Sequence, residues 1–140
     1  MKISENFEWR EFEESPTAKA HKFINAVTTS QVRDSIKALV HNVLQPLRDA
    51  WGEPLKVNSG YRNTQLNALV GGVPTSQHTK GEAADIDAPN PYKLASLAKQ
   101  LGLPFDQMIL YPTFVHFSHR LNGEQRGDVL YSKTYKGKRL

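Results

Sequence analysis

The longest apolar periodicity in the chain constrains its architecture more than any other feature. Val32, Ile36, Leu39, Val40, Val43, Leu44, Leu47 and Trp51 recur at helical spacing. That spacing predicts one long helix with one apolar stripe. Thr29 or Ser30 can cap it, and Gly52 ends it. Pro46 lies inside the run and lacks an N–H, so a kink or interruption is expected there. A stripe of this kind is core, to be covered by other elements of the same chain.

Those elements are short. Pro54 to Ser59 alternates and reads as a strand. Arg62 to Val70 reads as a short helix closed by Gly71-Gly72. Gly81 to Asp87 turns into a second strand. Asn90-Pro91 starts another helix, with Asn as cap and Pro at the first position; Leu94, Leu97, Ala98 and Leu101 form its apolar face. Phe105 to Leu110 and Phe114 to Ser118 read as two strands around a turn. The fold class is α+β, with a small, mostly antiparallel sheet flanked by helices. At 140 residues the chain is expected to form one domain, 1–140. Residues 1–28 form a polar N-terminal arm pinned by Phe7, Trp9 and Phe12. Residues 132–140 form a basic tail.

Composition narrows the chemistry. There are no cysteines, so any metal must be held by His, Asp or Glu. The first fifteen residues are charged and carry no apolar leader, so no signal peptide is expected and synthesis is expected in the cytoplasm. No stretch is long and apolar enough to span a membrane, and no membrane insertion is expected. The formal net charge is +4. Much of that excess sits in the tail, where a solvated terminus is favoured over an anionic surface, and no nucleic-acid partner is expected.

The stretch SQHTKGEAADID, residues 76–87, concentrates the chemistry. His78 sits in a polar segment punctuated by Pro and Gly, on a loop rather than a core face. Asp85 lies between alanines and Ile86, where a bare carboxylate is costly to bury. Gly81, Ala83 and Ala84 leave room for both side chains to reach one cation. A third ligand comes from Phe114-Val115-His116-Phe117. His21 belongs to the arm, and His41 lies at the edge of the long helix. His119 points to the face opposite His116 and is ranked as surface or as support behind a ligand. His78, Asp85, His116 and a water would form an open zinc site holding one ion. Asp87 shares the Asp85 face, as a fourth ligand or as a partner that orients a histidine.

The pattern Ser76-x-His78-x-x-Gly81-x-Ala83-x-Asp85, followed by His116-x-Ser118, resembles the zinc D-alanyl-D-alanine carboxypeptidases. This family includes the vancomycin-resistance dipeptidases and the phage L-alanyl-D-glutamate endolysins, and it shares its fold with the hedgehog signalling domain. Ser59-Gly60-Tyr61-Arg62, Asn67 with Gly71-Gly72, and Phe105 to Ile109 extend the likeness over most of the chain. The resemblance implies hydrolysis of peptidoglycan stem peptides with His78, Asp85 and His116 as metal ligands. It places Arg62 facing the site, where a forked, fixed charge suits a substrate carboxylate or a developing oxyanion. Ser76, Gln77, Tyr111 and Ser118 are expected to bind substrate, with turn capping as the other role open to Ser76.

A zinc peptidase needs a general base. Many relatives carry an acid or histidine shortly before the last ligand, where this chain has Thr113 and Phe114; others carry Glu where it has Tyr111. The substitute depends on one turn. A two-residue loop pairs Ile109 with His116, puts Gln107 and Tyr111 on the metal face, and points Asp106 away. A three-residue loop brings Asp106 round, since one residue of register flips every side chain. Asp106 is the expected base and Tyr111 the alternative, as a hydrogen-bond donor.

Two functions follow. The first is a monomeric zinc metallopeptidase, carboxypeptidase or endopeptidase, of phage or prophage type, acting at the bacterial cell wall or periplasm. The second is a non-catalytic module on the same fold that contains zinc and binds wall peptide or protein.

Overall fold

The interleaved aromatics of the N-terminal segment pin it to the body of the protein. The computed structural model describes residues 1–140. Strands β1 (Lys2–Ser4) and β2 (Phe7–Glu8) pair antiparallel, followed by helices α1 (Trp9–Glu13) and α2 (Pro16–Ala20). Phe7 and Phe12 are fully buried and join the main core with Trp9. Asn25 fixes the far end of this segment. Its amide donates to the Glu13 and Tyr61 carbonyls, and its Oδ1 accepts from the Asn63 N–H.

The apolar stripe folds as α3 (Ser30–Leu39), a π-helical turn (Val40–Leu44) and α4 (Gln45–Trp51). Thr29 Oγ1 accepts from the Val32 N–H, capping α3, and Gly52 closes α4 at φ 78°. Pro46 cannot donate to the carbonyl one turn back. The chain answers with a wider turn, in which the Gln45 N–H reaches the Val40 carbonyl. The expected interruption is thus a π-turn just before the proline. Ile36, Leu39, Val40, Val43, Leu44 and Leu47 are all fully buried.

The remaining chain supplies β3 (Val57–Ser59), α5 (Thr64–Leu69), a 3₁₀ turn (Gln77–Lys80), β4 (Ala83–Asp87), α6 (Pro91–Gln100), β5 (Gln107–Leu110), β6 (Phe114–Ser118) and β7 (Asp128–Tyr131). The five-stranded sheet runs β3-β4-β6-β5-β7. Its neighbours are antiparallel except β5 and β7, which are parallel. Asn90 caps α6 as expected, its side chain accepting from the Lys93 N–H. Strand β7 was not expected from the sequence. No helix is long and apolar enough to cross a membrane.

The period of two divides the sheet into a core face and a chemical face. Ala84, Ile86, Met108, Leu110, Val115 and Phe117 are buried with the helices. Asp85, Gln107, Ile109 and His116 point the other way and are only partly covered. The tail folds back over aromatics of α6 and β7: Lys138 Nζ lies 4.8 Å above the Tyr92 ring, and the Arg139 guanidinium 4.6 Å above Tyr131.

Candidate metal centre

Three elements bring one ligand atom each to a common point. Asp85 on β4 and His116 on β6 are direct cross-strand partners, so they share a face. His78 arrives on the 3₁₀ turn. Gly81 closes that turn at φ 74° and leads straight into β4. Asp85 Oδ1 lies 2.8 Å from His116 Nδ1 and 3.5 Å from His78 Nε2. The three ligand atoms all lie within 4.8 Å of one another. Zinc ligands at about 2.0–2.2 Å from the ion stand roughly 3.3–3.6 Å apart in a tetrahedron. The group needs only small adjustments to hold one ion.

The histidines are oriented for this. His78 Nδ1 lies 2.7 Å from the Gly60 carbonyl, to which it donates, leaving the Nε2 lone pair for a metal. Gly60 must be glycine because a Cβ there would lie 2.7 Å from Phe12 Cα. Burial alone would raise the Asp85 carboxyl. The hydrogen bonds and charge of His116 and His78 more than offset it and hold the group well below the usual carboxylate range.

Arg62 approaches the same centre. Burial pushes its guanidinium below the ordinary value, and the charge of Asp85 opposes that shift. Its Nη2 donates to Ser76 Oγ at 3.2 Å, while its Nε is buried without a partner. Ser76 Oγ also accepts from the His78 N–H, so this serine caps the 3₁₀ turn as well as holding Arg62. Tyr111 stacks on Phe114 with ring centroids 4.3 Å apart. Burial and the nearby Asp85 charge raise its phenol, and Arg62 partly opposes them. Tyr111 thus remains a hydrogen-bond donor at neutral pH.

The β5–β6 turn contains two residues: the Tyr111 N–H bonds the Phe114 carbonyl, and Ile109 pairs with His116. This register corrects the expectation that Asp106 is the base. Its side chain is fully buried beneath Arg126, which donates Nη2 at 2.7 Å and Nε at 3.0 Å. Arg126 holds the carboxyl at about 2, a poor acceptor for a water proton at neutral pH.

Two further expectations change. Ser118 does not face substrate. It is fully buried, and its Oγ accepts from the Gln107 N–H at 3.0 Å inside the β5–β6 ladder. Asp87 does not orient a histidine: it lies exposed at the far end of β4, and the Gly60 carbonyl does that work. Gln77 lines the groove beside His116, but its amide is engaged by Glu82 and Asp106. His119 is buried, not a surface group, with Nε2 3.5 Å from Asn42 Nδ2. The Gly60 carbonyl, Lys80, Arg120 and Arg126 were not anticipated. A backbone acceptor carries no sequence signal, and the arginines follow the last motif.

Over 86 residues the chain is 35% identical to the zinc D-Ala-D-Ala carboxypeptidase of Streptomyces albus G, an alignment covering 59% of this chain and 34% of that protein. The chain therefore spans about a third of the length of this curated relative. Residues 6–119 match the Peptidase M15 family, taking in His78, Asp85 and His116 as well as Arg62 and Tyr111. With most of its length matched in this way, the chain belongs to the peptidase M15 family.

Proposed function

We propose that the protein is a zinc-dependent peptidase that hydrolyses peptidoglycan stem peptides at the bacterial cell wall, as a carboxypeptidase or an endopeptidase. The observation that carries this reading is the convergence of His78 Nε2, Asp85 Oδ1 and His116 Nδ1, two imidazoles and a carboxylate on one point. Three protein ligands leave a coordination position open, as catalytic rather than structural zinc requires. The name of the Streptomyces relative supports both the metal and the substrate class.

Bound zinc supplies Lewis acidity, polarising the peptide carbonyl and lowering the pKa of water. The chain's own groups do the rest. The Gly60 carbonyl holds His78 in the required tautomer. Arg62 offers a fixed charge to a substrate carboxylate or to the oxygen that gains charge. The Tyr111 hydroxyl is available as a hydrogen-bond donor near Asp85.

A second reading, a zinc-containing module that binds wall peptide without cutting it, is favoured by one observation. The carboxylate expected to accept the water proton, Asp106, is locked under Arg126. Digestion of purified peptidoglycan separates the two readings: with chelator, without it, and with zinc restored, followed by mass analysis. Zinc-restorable loss of terminal D-alanine identifies a carboxypeptidase, and larger fragments identify an endopeptidase. No cleavage by protein carrying one zinc per chain selects the binding module.

A further inference from the structure

His78 is the one ligand of the metal centre that does not stand on the sheet. Its 3₁₀ turn has only 4 residues, Gln77–Lys80, and the hydrogen-bond geometry of such a turn is poorer than that of an α-helix. The place of the turn against the strands therefore depends on what it touches outside itself. The backbone contributes the Arg62 N–H on the His78 carbonyl at 3.1 Å and the Glu82 N–H on the Gln77 carbonyl at 2.9 Å. The Gln77 side chain adds a longer reach. Its Nε2 donates to Glu82 Oε1 at 3.3 Å and to Asp106 Oδ2 at 3.2 Å. Both partners are acceptors, so only the amide nitrogen can face them.

Both carboxylates are anchored on the elements that carry the other ligands. Glu82 directly precedes β4, the strand of Asp85. Its carbonyl accepts from the His119 N–H at 2.9 Å, and its Oε2 from the Leu121 N–H at 3.0 Å. Asp106 directly precedes β5. Its N–H donates to the carbonyl of Ser118 at 2.7 Å, on the strand of His116, and its own carbonyl accepts from the Asp128 N–H at 3.1 Å. The Arg126 guanidinium, at 2.7 and 3.0 Å, fixes its side chain and supplies the neutralising charge. Asp106 is thus a rigid, buried acceptor, and the chemistry at the metal leaves it unused. Through one amide, the His78 turn is tied to the entry of β4 and to the β5–β6 ladder at once.

We propose that Gln77 is a positioning residue of the metal centre: clamped between Glu82 and Asp106, it sets the distance of His78 from Asp85 and His116, so that the buried Asp106 acts on the metal through Gln77 and His78. The clamp holds His78 Nε2 3.5 Å from Asp85 Oδ1, within the spacing of two ligands on one zinc ion. This role rests on the zinc centre of the reading above and not on any bond being cut.

The test measures zinc affinity by competition with a chromophoric chelator, and the visible spectrum of the cobalt(II)-substituted protein, which reports ligand geometry. Gln77→Met keeps the length of the side chain and removes its donor. It should weaken zinc binding about tenfold, the scale of a lost group behind a metal ligand, and alter the cobalt spectrum. Gln77→Glu sets a third carboxylate against Glu82 and Asp106 and should weaken binding further. Adding Asp106→Asn again places an amide opposite a carboxylate, with the roles exchanged. The double variant should regain affinity over Gln77→Glu alone even though the Arg126 ion pair is lost, a recovery that a merely structural role does not give. Gly102→Ala, at a left-handed position with open space around it, is the stability control: it should unfold at a lower temperature with zinc affinity unchanged. Thermal unfolding of the metal-free proteins shows which variants fold, and if Gln77→Met does not, Gln77→Glu and its double variant decide. Wild-type affinity and cobalt spectrum in Gln77→Met, no recovery in the double variant, or an equal loss of affinity in Gly102→Ala overturns the role. The expected losses in a protein that binds zinc but leaves peptidoglycan uncut keep the role standing and overturn the peptidase reading alone. A wild-type protein without stoichiometric zinc overturns both.

Discussion

Asp85 and His116 face each other across the β4–β6 ladder, with Oδ1 and Nδ1 2.8 Å apart. The sheet register alone creates this pair, and the 3₁₀ turn then adds His78 from outside the sheet. The ligands therefore differ in what they support. Removing His116 takes a partly exposed ring off the sheet face. Removing His78 also leaves the Gly60 carbonyl without its partner. His116→Ala and His78→Ala should each abolish stoichiometric zinc binding and hydrolysis. The expected stability cost of each is about 1–3 kcal/mol, that of an unsatisfied polar group. Metal analysis and urea unfolding of the metal-free proteins check this. Losses of about 3–5 kcal/mol, the scale of a deleted core aromatic, would mean that the histidines hold the fold together.

Asp106 gives the second prediction. Its folded pKa of about 2 lies below the ordinary range of a carboxylate, chiefly through the Arg126 hydrogen bond. A depressed carboxylate stabilises the fold fully above its unfolded pKa, and that contribution is lost as pH falls through the folded one. For Asp106 the window runs from about pH 4 down to about pH 2, and the contribution is on the order of 2 kcal/mol. Asp106→Asn should be less stable than wild type by about that amount at neutral pH, with the gap closing across the window. Urea unfolding from pH 7 to pH 2 measures it. A fall in kcat of several orders of magnitude, with zinc content and fold intact, would restore Asp106 as the base.

The reason Asp106 was misread shows how far the sequence reached. Period two set His116 apart from Val115 and Phe117, and the small residues around Gly81 left room for His78 and Asp85 to converge; the β4–β6 register then put Asp85 and His116 on one face. These relations are local and survive small errors in element boundaries. Asp106 depended on a single turn residue, and the two-residue loop turned it from the metal face into a buried ion pair. Ser118 shares the His116 face by periodicity, yet it lies at the end of β6, where the β5 backbone covers it. Arg126 carries no motif, and it meets Asp106 only because the chain returns along β5 as the parallel strand β7. Parallel pairing of an edge strand leaves little trace in local sequence.

Gly81 joins two of the ligand-bearing elements, and that supplies the third prediction. Its φ of 74° is left-handed, and a Cβ there would lie 2.8 Å from the Val32 carbonyl oxygen and 2.9 Å from Val32 Cγ1. Gly81→Ala therefore combines about 1–2 kcal/mol of left-handed strain with about 1–3 kcal/mol of overpacking against α3. Gly102→Ala meets the same backbone strain with nothing within 4 Å, so it isolates the first part. Thermal unfolding should show the larger loss at Gly81, and zinc affinity should fall only there. Equal losses at the two positions would mean that the 3₁₀ turn shifts freely against α3.

Tyr111 tests the chemistry most directly. Its ring is fixed by stacking on Phe114, so Tyr111→Phe keeps the packing and removes only the hydroxyl. Burial and the charge of Asp85 raise the phenol above its ordinary value. The hydroxyl therefore stays a donor across the neutral range, and an alkaline fall in kcat due to its ionisation should begin only above about pH 10. Removing one donor to a developing oxyanion typically costs about 10²–10³ in kcat. Tyr111→Phe should lower kcat by about that factor on any stem peptide the enzyme cleaves, with zinc content unchanged and stability within about 1 kcal/mol. A loss confined to KM would make Tyr111 a binding group instead. No change in either constant would leave Arg62 as the chain's own charge on the reacting oxygen, and Arg62→Lys would then be the informative substitution, since a lysine keeps the charge and loses the fork.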